Sequence, residues 1–434
     1  ESLNSGAMLK AKLILNGLHP AEIARLLESS PTRQRRLIWE MLDHKNDGEV
    51  LLEVGDEVRN NLMESMDEKS LLAATAGLEV DDLADLLDEL PETVVKQALE
   101  GMDYQYRTRL EGVMNYDEDT AGGLMNTDTI TIRPDVTLDV VLKYLRLRQE
   151  IPKNTDNIIV VDRYNHYLGT LLVTNLLCAE PENTVAESMN KNYISIKSDA
   201  IASDVVNIFE DRDLVSAPVV DKNNILLGRI TIDDVVDVIR EESESAVLNM
   251  AGLTDEEDIF APILPSARRR AIWLGVNLIT ALIASGVISL FQDTIERVVA
   301  LAVLMPIVAS MGGVAGSQTL TLVIRGIALG NISSANSKSL LIKEIAVGFL
   351  NSFLWASVIG VLSSYWFDNY LIGVVIGIAM IANLGFAALS GVLIPIALKK
   401  IGVDPALGGG VILTTITDVI GFASFLTLGT IFLL

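Results

Sequence analysis

The spacing of apolar residues changes character along this chain, and each change marks a new kind of element. Up to about residue 118 apolar positions recur at helical intervals. Leu18-His19-Pro20-Ala21-Glu22-Ile23-Ala24-Arg25-Leu26-Leu27 places them on one face, with a proline near the first turn. About sixty residues later the phrase returns as Leu78-Glu79-Val80-Asp81-Asp82-Leu83-Ala84-Asp85-Leu86-Leu87, ahead of Leu90-Pro91. Stacked helical hairpins are the expectation, forming an all-α superhelical N-domain over residues 1–118.

After Tyr116 the pattern becomes mixed. Asn157 to Asp162 and Tyr167 to Val173 read as strands around a turn at 163–166, with Thr174 as the cap of a following helix. The same order recurs as Ser216 to Asp221, a Lys222-Asn223-Asn224 turn, and Ile225 to Ile232. Asp233 and Asp234 then sit at the positive end of a predicted helix. A tandem α+β repeat of form β-α-β-β-α results, with units at 119–187 and 188–240. Residues 241–262 are acidic and amphipathic: Glu241, Glu242, Glu244, Asp255, Glu256, Glu257 and Asp258 surround Val247, Leu248 and Met250. They predict a long connecting helix, and a merely solvated linker would look the same. Pro262 and Pro265 are expected to break the chain before Arg268-Arg269-Arg270.

Five apolar runs follow, near 271–291, 298–324, 340–366, 371–398 and 409–434. Each suffices for the roughly 20 residues of a membrane helix, giving a five-helix transmembrane domain over 263–434. Arg268, Arg269, Arg270, Arg325, Lys338, Lys343, Lys399 and Lys400 flank one side, and Arg297 alone the other. The positive-inside rule makes the soluble part and N-terminus cytoplasmic and the C-terminus external, in a multi-pass protein of the cell (inner) membrane. An odd number of spans excludes a tandem inverted repeat of equal halves. A symmetric homodimer is the natural way to enclose a pore.

The charge distribution sharpens the division. From Arg268 onward lie 9 Lys and Arg and 6 Asp and Glu, so of the chain's 33 and 57 the preceding part holds 24 and 51. That part carries about −27 of the net −24, which disfavours nucleic acid and anionic lipid as partners. It suits a surface that meets cations, or one that is simply solvated. The single Cys178 excludes a disulfide framework and fits a reducing compartment. His19, His44 and His166 lie too far apart in sequence to suggest a zinc site. The polar start and short amphipathic first stretch do not read as a signal peptide, and an opening on Glu1 rather than Met points to a trimmed chain.

One residue stands out against the apolar spans. Asp418 lies mid-span in a run otherwise apolar or small from Gly408 to Leu434. A carboxylate there costs roughly 2.5–3.5 kcal/mol on insertion scales unless water, a cation or a partner compensates. Thr414 is four residues away on the same helix face, and Gly410 extends that face by a turn, with Thr415 beside it. In the second span Pro306 frees a carbonyl, and Gly312 and Gly313 permit close packing or an unwound, wet segment. A polar helix contact would also account for Asp418. Magnesium keeps most of its waters and needs one or two carboxylates, which Asp418 from two subunits would supply. Sodium or protons could also use a lone Asp.

Two resemblances follow. The strand-turn-Gly-strand-Asp-helix phrases, with Gly169 and Gly228, resemble a pair of CBS domains, which implies ligand sensing, often of ATP or another adenine nucleotide. Thr231 and Asp234 fall where such domains contact ribose, and they would equally cap a helix. End to end, the chain resembles the MgtE family of magnesium channels and transporters. The phrases Glu118-Asp119-Thr120-Ala121-Gly122-Gly123-Leu124-Met125, Asp404-Pro405-Ala406-Leu407 and Thr414-Thr415-Ile416-Thr417-Asp418-Val419-Ile420-Gly421 carry the match.

The resemblance implies that Asp418 holds hydrated magnesium in the pore and that Asp404 lies at the cytosolic mouth. It also implies a magnesium-closed gate built from Asp213, Asp234, Asp237 and Glu242, with Asp81, Asp82 and Asp85 from the N-domain. Val314, Ser317, Gly409-Gly410-Val411, Ser245 and Ala246 depart from the family pattern and bear on selectivity, pore shape and the gate. A sodium-coupled or other divalent-cation exchanger of the same architecture, and a non-conducting CBS-bearing receptor, are the alternatives. No nucleophile-base pair, phosphate loop or metal-hydrolase motif suggests an enzyme.

Overall fold

A computed structural model describes residues 2–434 apart from 44, 149–150, 254–257, 329–331 and 333–335. His44 and Asp255 to Glu257 of the sequence reading therefore lie outside the described residues. The chain divides into two compact units, one of Glu1–Ser243 with Glu256–Ala261, the other of Glu244–Asp255 with Pro262–Leu434.

The first unit begins with helices α1 (Ser2–Leu15), α2 (Pro20–Glu28), α3 (Thr32–Trp39), α4 (Asp47–Glu53), α5 (Asp56–Met63), α6 (Glu68–Ala74), α7 (Val80–Asp88), α8 (Glu92–Gly101) and α9 (Tyr104–Val113). The expected repeat is real in its details. Pro31 and Pro91 occupy the same position before α3 and α8, with φ −57° and −58°. Proline suits a helix start, where no intrahelical partner awaits its missing N–H. His19 caps α2, accepting from the Ala21 amide at 3.4 Å while Glu22 accepts from the His19 amide at 3.0 Å. Alternate helices stack, α2 on α4, α4 on α6 and α6 on α8.

Two α+β repeats follow: β1 (Thr131–Ile132), α10 (Leu138–Leu147), β2 (Asn157–Val161), β3 (Tyr167–Leu172), α11 (Val173–Cys178) and α12 (Val185–Ser188), then β4 (Ile196–Lys197), α13 (Ala202–Arg212), β5 (Ser216–Val220), β6 (Leu226–Thr231) and α14 (Ile232–Met250). Each sheet has one parallel and one antiparallel pairing, β1-β2-β3 and β4-β5-β6, with a register shift at Val160/Val161 and at Val219/Val220. The hairpin turns meet reciprocally. The Tyr167 amide donates to the Asn224 carbonyl and the Leu226 amide to the Asn165 carbonyl, both at 2.9 Å. Thr174 is not the predicted cap, because α11 already starts at Val173 with Leu172 as its N-cap.

One apolar core runs from Leu27, Leu51, Leu83 and Leu110 of the N-domain into Phe209, Val219, Ile230 and Val235 of the second repeat. The first repeat has its own core around Leu138, Ile158 and Leu171. Full burial of each such side chain contributes roughly 1.5–3 kcal/mol. The N-domain and the second repeat thus share one apolar core.

The connecting segment differs from its predicted span of 241–262. It continues the last helix of the second repeat without a break and stops at Met250. Gly252 takes the left-handed conformation (φ 72°) that ends the helix, and lies against the Trp273 ring. The second unit continues with α15 (Ile263–Ser289), a short α16 (Gln292–Arg297), α17 (Val299–Ala328), α18 (Ser337–Trp366), α19 (Tyr370–Lys400) and α20 (Pro405–Leu433). Five of these are long and apolar enough to cross a membrane. Pro265 does not break the chain: it sits in the first turn of α15, where the absent N–H costs nothing. α19 is the most buried span and packs against α17, α18 and α20.

Candidate cation path and acidic cluster

Two faces of α17 do different work. Val308, Gly312, Gly316 and Leu320 recur every fourth residue and are buried. The adjoining stripe of Ser310, Gly313, Val314, Ser317 and Thr321, with Ala309 and Gln318, lines an open cavity of about 670 Å³. From α20 the cavity receives Thr414 and Asp418 alone. α20 repeats the logic, because Gly409, Leu413, Thr417, Gly421 and Phe425 form its buried face.

The sequence-predicted pore residues separate accordingly. Asp418, Thr414 and Gly313 line the cavity. Gly312 does not: it faces α19, where an added Cβ would come within 2.8 Å of Asn383 Cγ. Neither Gly410 nor Thr415 is among the cavity residues, and the Thr415 hydroxyl donates to the Val411 carbonyl at 2.7 Å. The Thr414 hydroxyl likewise donates to the Gly410 carbonyl at 2.8 Å, leaving its oxygen lone pairs toward the cavity. The glycine-rich stretch of α17 is helical throughout, despite Pro306, so no unwound segment forms. Asp418 is half-buried beside hydroxyl, amide and glycine groups, an arrangement that accommodates a cation with its water.

Asp404 is the N-cap of α20. It accepts from the Ala406 amide at 2.9 Å and from the Asn249 side chain at 3.1 Å. Asn249, near the end of α14, had no distinguishing signal in sequence beyond a polar residue in an amphipathic run.

In the first unit the structure gathers carboxylates from four stretches of chain. Asp81 is buried, and loss of water, then the charges of Asp234, Asp82 and Glu79, push its carboxyl up to about 8. Burial, then Glu79, raises Asp82 to about 6, and burial, then Glu118 and Asp82, raises Asp85 to about 7. Asp234 is raised to about 7 by burial and the neighbouring Asp233 and Asp82, against hydrogen bonds from Thr231 that lower it. Asp237 and Glu242 are raised by burial, then by Glu53 and Asp119 respectively, and Glu241 by burial, then by Asp237 and Asp56.

Six of the predicted cytosolic acids, Asp81, Asp82, Asp85, Asp234, Asp237 and Glu242, therefore share one acidic neighbourhood. Asp213 does something else: exposed and left-handed (φ 50°), it closes the end of α13. Sequence reasoning did not name Glu53, Asp56, Glu79 and Glu241 as members: tertiary packing alone brings in Glu53 and Asp56, whereas Glu79 and Glu241 adjoin predicted members in sequence.

The donor set suits a hard divalent cation. The buried Asp81 Oδ1 has no hydrogen-bond partner among the described residues, and like charges crowd it. No three His, Cys, Asp or Glu side chains among the described residues converge closely enough to cage a bare ion. Thr231 and Asp234 act first as a helix cap: the Thr231 amide donates to Asp234 Oδ2 at 2.9 Å, and its hydroxyl lies 3.1 Å from the same oxygen.

A domain of five membrane-length apolar helices with a carboxylate in its cavity, attached to a helical domain and a tandem α+β pair, is the architecture of a cation transporter. Family models agree along the chain. Residues 18–119 match the MgtE intracellular N domain, 121–182 and 185–241 the CBS domain, and 305–428 MgtE, a divalent cation transporter. The chain belongs to the MgtE family.

It is 28% identical over 438 residues to the magnesium transporter MgtE of Thermus thermophilus, covering 100% of this chain and 97% of the relative. It is 27% identical over 431 residues to the Bacillus subtilis magnesium transporter MgtE, covering 99% and 96%. The crystal structure of the cytosolic domain of the Mg2+ channel MgtE in complex with ATP is 28% identical, with a TM-score of 0.49, covering 55% of this chain and 97% of that one.

Proposed function

We propose that this protein is a magnesium channel closed by cytosolic magnesium, and the observation that carries the reading is Asp418 in the α17–α20 cavity. Magnesium dehydrates reluctantly. A cavity offering one carboxylate and the Thr414 and serine hydroxyls takes the ion with its water shell and strips little of it. In a homodimer, the second Asp418 supplies the other carboxylate. The relatives named magnesium transporters support magnesium as the cargo.

Regulation follows from the acidic neighbourhood. When ionised and unshielded, Asp81, Asp82 and Asp85 repel Asp234, Asp237 and Glu242, and the N-domain is pushed from the second CBS unit. When screened by magnesium, the same residues hold the two together, and the closed state is favoured. Thr231 and Asp234 are the nucleotide-facing residues of the CBS pair, where ATP or another adenine nucleotide binds. The domains run 1–118, 119–187 and 188–240, followed by the connecting segment 241–262, whose helix ends at Met250, and the membrane domain 263–434. The basic residues flanking α15, α17 and α19 put the soluble unit on the cytoplasmic side of the cell membrane. The protein is a transporter without enzymatic activity.

The test is magnesium flux in proteoliposomes with the soluble unit facing out. Flux that falls as outside magnesium rises, and that loses this dependence in Asp81→Asn/Asp234→Asn, is expected. Flux that requires a sodium gradient would replace the channel with a coupled exchanger. Flux indifferent to outside magnesium would remove the gate.

A further inference from the structure

α19 contributes no residue to the cavity, yet one of its side chains touches both helices that do. Asn383 is fully buried. Its Nδ2 donates to the Val308 carbonyl of α17 at 2.7 Å. On the same side of α17, Gly312 lies so close that an added Cβ would stand 2.8 Å from Asn383 Cγ. On α20, a Cβ at Gly421 would stand 2.8 Å from Asn383 Nδ2 and 3.3 Å from Val308 Cγ1. Two glycines on two helices thus make room for one amide. Gly421 is one turn beyond Asp418, and Val308 and Gly312 alternate with the cavity residues Ser310 and Gly313.

The arrangement has a cost that packing alone does not explain. Asn383 Oδ1 is buried with no partner among the described residues. A leucine would fill similar space without stranding an acceptor. What only the amide supplies is a donor to the second lone pair of a helical carbonyl, tying α17 to α19 at one height.

We propose that Asn383 is the positioning residue of the cation path, setting the separation of α17 and α20 and so the width of the cavity at Asp418. The inference rests on reading that cavity as the path. Asn383 does not face the ion; it acts through Gly312 and Gly421.

A rescue cycle tests it, in full-length protein reconstituted in liposomes. Gly312→Ala drives a methyl into Asn383, and Asn383→Ala leaves a void and no donor. Each is expected to raise the half-saturating magnesium concentration about tenfold, the scale on which overpacking shifts an equilibrium. The double variant Gly312→Ala/Asn383→Ala seats the methyl in the vacated space and is expected to return to within about threefold of wild type. Asn383→Leu, which keeps the volume and lacks the donor, is expected to shift half-saturation while being recovered in normal yield.

The second readout needs no ion: the rate at which a water-soluble thiol reagent modifies Ser310→Cys in a Cys178→Ser background. It should change in both single variants and recover in the double. Wild-type half-saturation and thiol rates in Gly312→Ala, or additive losses in the double, would overturn the assignment. If wild type carries a different divalent cation, the magnesium reading fails and the same cycle is read with that ion. If it carries none, the thiol rates decide.

Discussion

The Arg35 guanidinium holds the Asp258 carboxylate in a two-pronged pair, with Nη1 at 2.7 Å and Nη2 at 3.0 Å from its two oxygens. Both side chains are almost fully buried, and Arg35 Nε also donates to the Leu27 carbonyl at 2.9 Å. Asp258 lies just before α15 in sequence, and its amide donates to Glu57 at 2.9 Å. The Phe260 carbonyl accepts from Thr32 at 3.1 Å. The N-domain thereby grips the segment that leads into the first membrane helix. Removing one partner strands the other charge in a dry site, at a cost of about 3–5 kcal/mol. Thermal unfolding of the detergent-solubilised protein should show Arg35→Ala and Asp258→Ala each lowering the transition of the soluble unit. The double variant should lose much less than both losses combined. Additive losses would mean that the two side chains act independently.

The acidic neighbourhood makes stability depend on pH in a defined direction. Asp81 titrates near 8 when folded, against 3.8 as its ordinary value, and Asp82, Asp85 and Asp234 shift the same way. The folded state binds the extra protons, so this contribution is complete below about pH 4 and is lost as pH rises through about 8. Without divalent ions the soluble unit should become less stable from pH 6 to pH 8. Added magnesium competes with those protons, so its stabilising effect should be larger at pH 8 than at pH 6. Asp81→Asn should flatten both dependences. Calorimetry across that range, with and without magnesium, reads all three, and a magnesium effect that grows on acidification would contradict the assignment.

Glu344 is a second carboxylate within an apolar helix, and its role is structural. It is buried on α18, accepts from the Thr319 hydroxyl of α17 at 3.3 Å, and pairs with exposed Lys343 at 2.9 Å. Thr319 in turn presses on Gly391, where a Cβ would stand 2.8 Å away. Glu344→Gln retains an acceptor and should be nearly silent. Glu344→Ala strands the Thr319 hydroxyl and opens a gap, so thermal stability should fall by about 1–3 kcal/mol. Equal stability of the two variants would remove the Thr319 contact from the account.

Much of this architecture is legible in sequence, for identifiable reasons. Leu18 to Leu27 and Leu78 to Leu87 repeat because each builds one amphipathic helix, and Pro31 and Pro91 start the next. The strands at 157 and 216 announce themselves through β-branched runs and tight turns. The membrane faces were not legible. In a span that is apolar all round, no amphipathic period says which side is buried, and the single step from Gly312 to Gly313 rotates the direction by about 100°. Asn383 was missed although a lone amide in such a span is itself a signal. The connecting helix is shorter than its acidic pattern, which runs on past Gly252, because backbone conformation rather than pattern ends it. The acidic neighbourhood was half visible: Asp81, Asp82 and Asp85 share a helix, whereas Glu53, Asp56 and Glu118 join only through packing.

Conduction through the α17–α20 cavity is predicted to depend on Asp418. Magnesium uptake into proteoliposomes, wild type against Asp418→Ala at matched reconstitution, measures it directly. Uptake that is robust in wild type and at least about a hundredfold lower in the variant is predicted, since loss of the site's carboxylate removes a charged contact of about 3 kcal/mol or more. Equal uptake by the two proteins would take Asp418 out of the cation path.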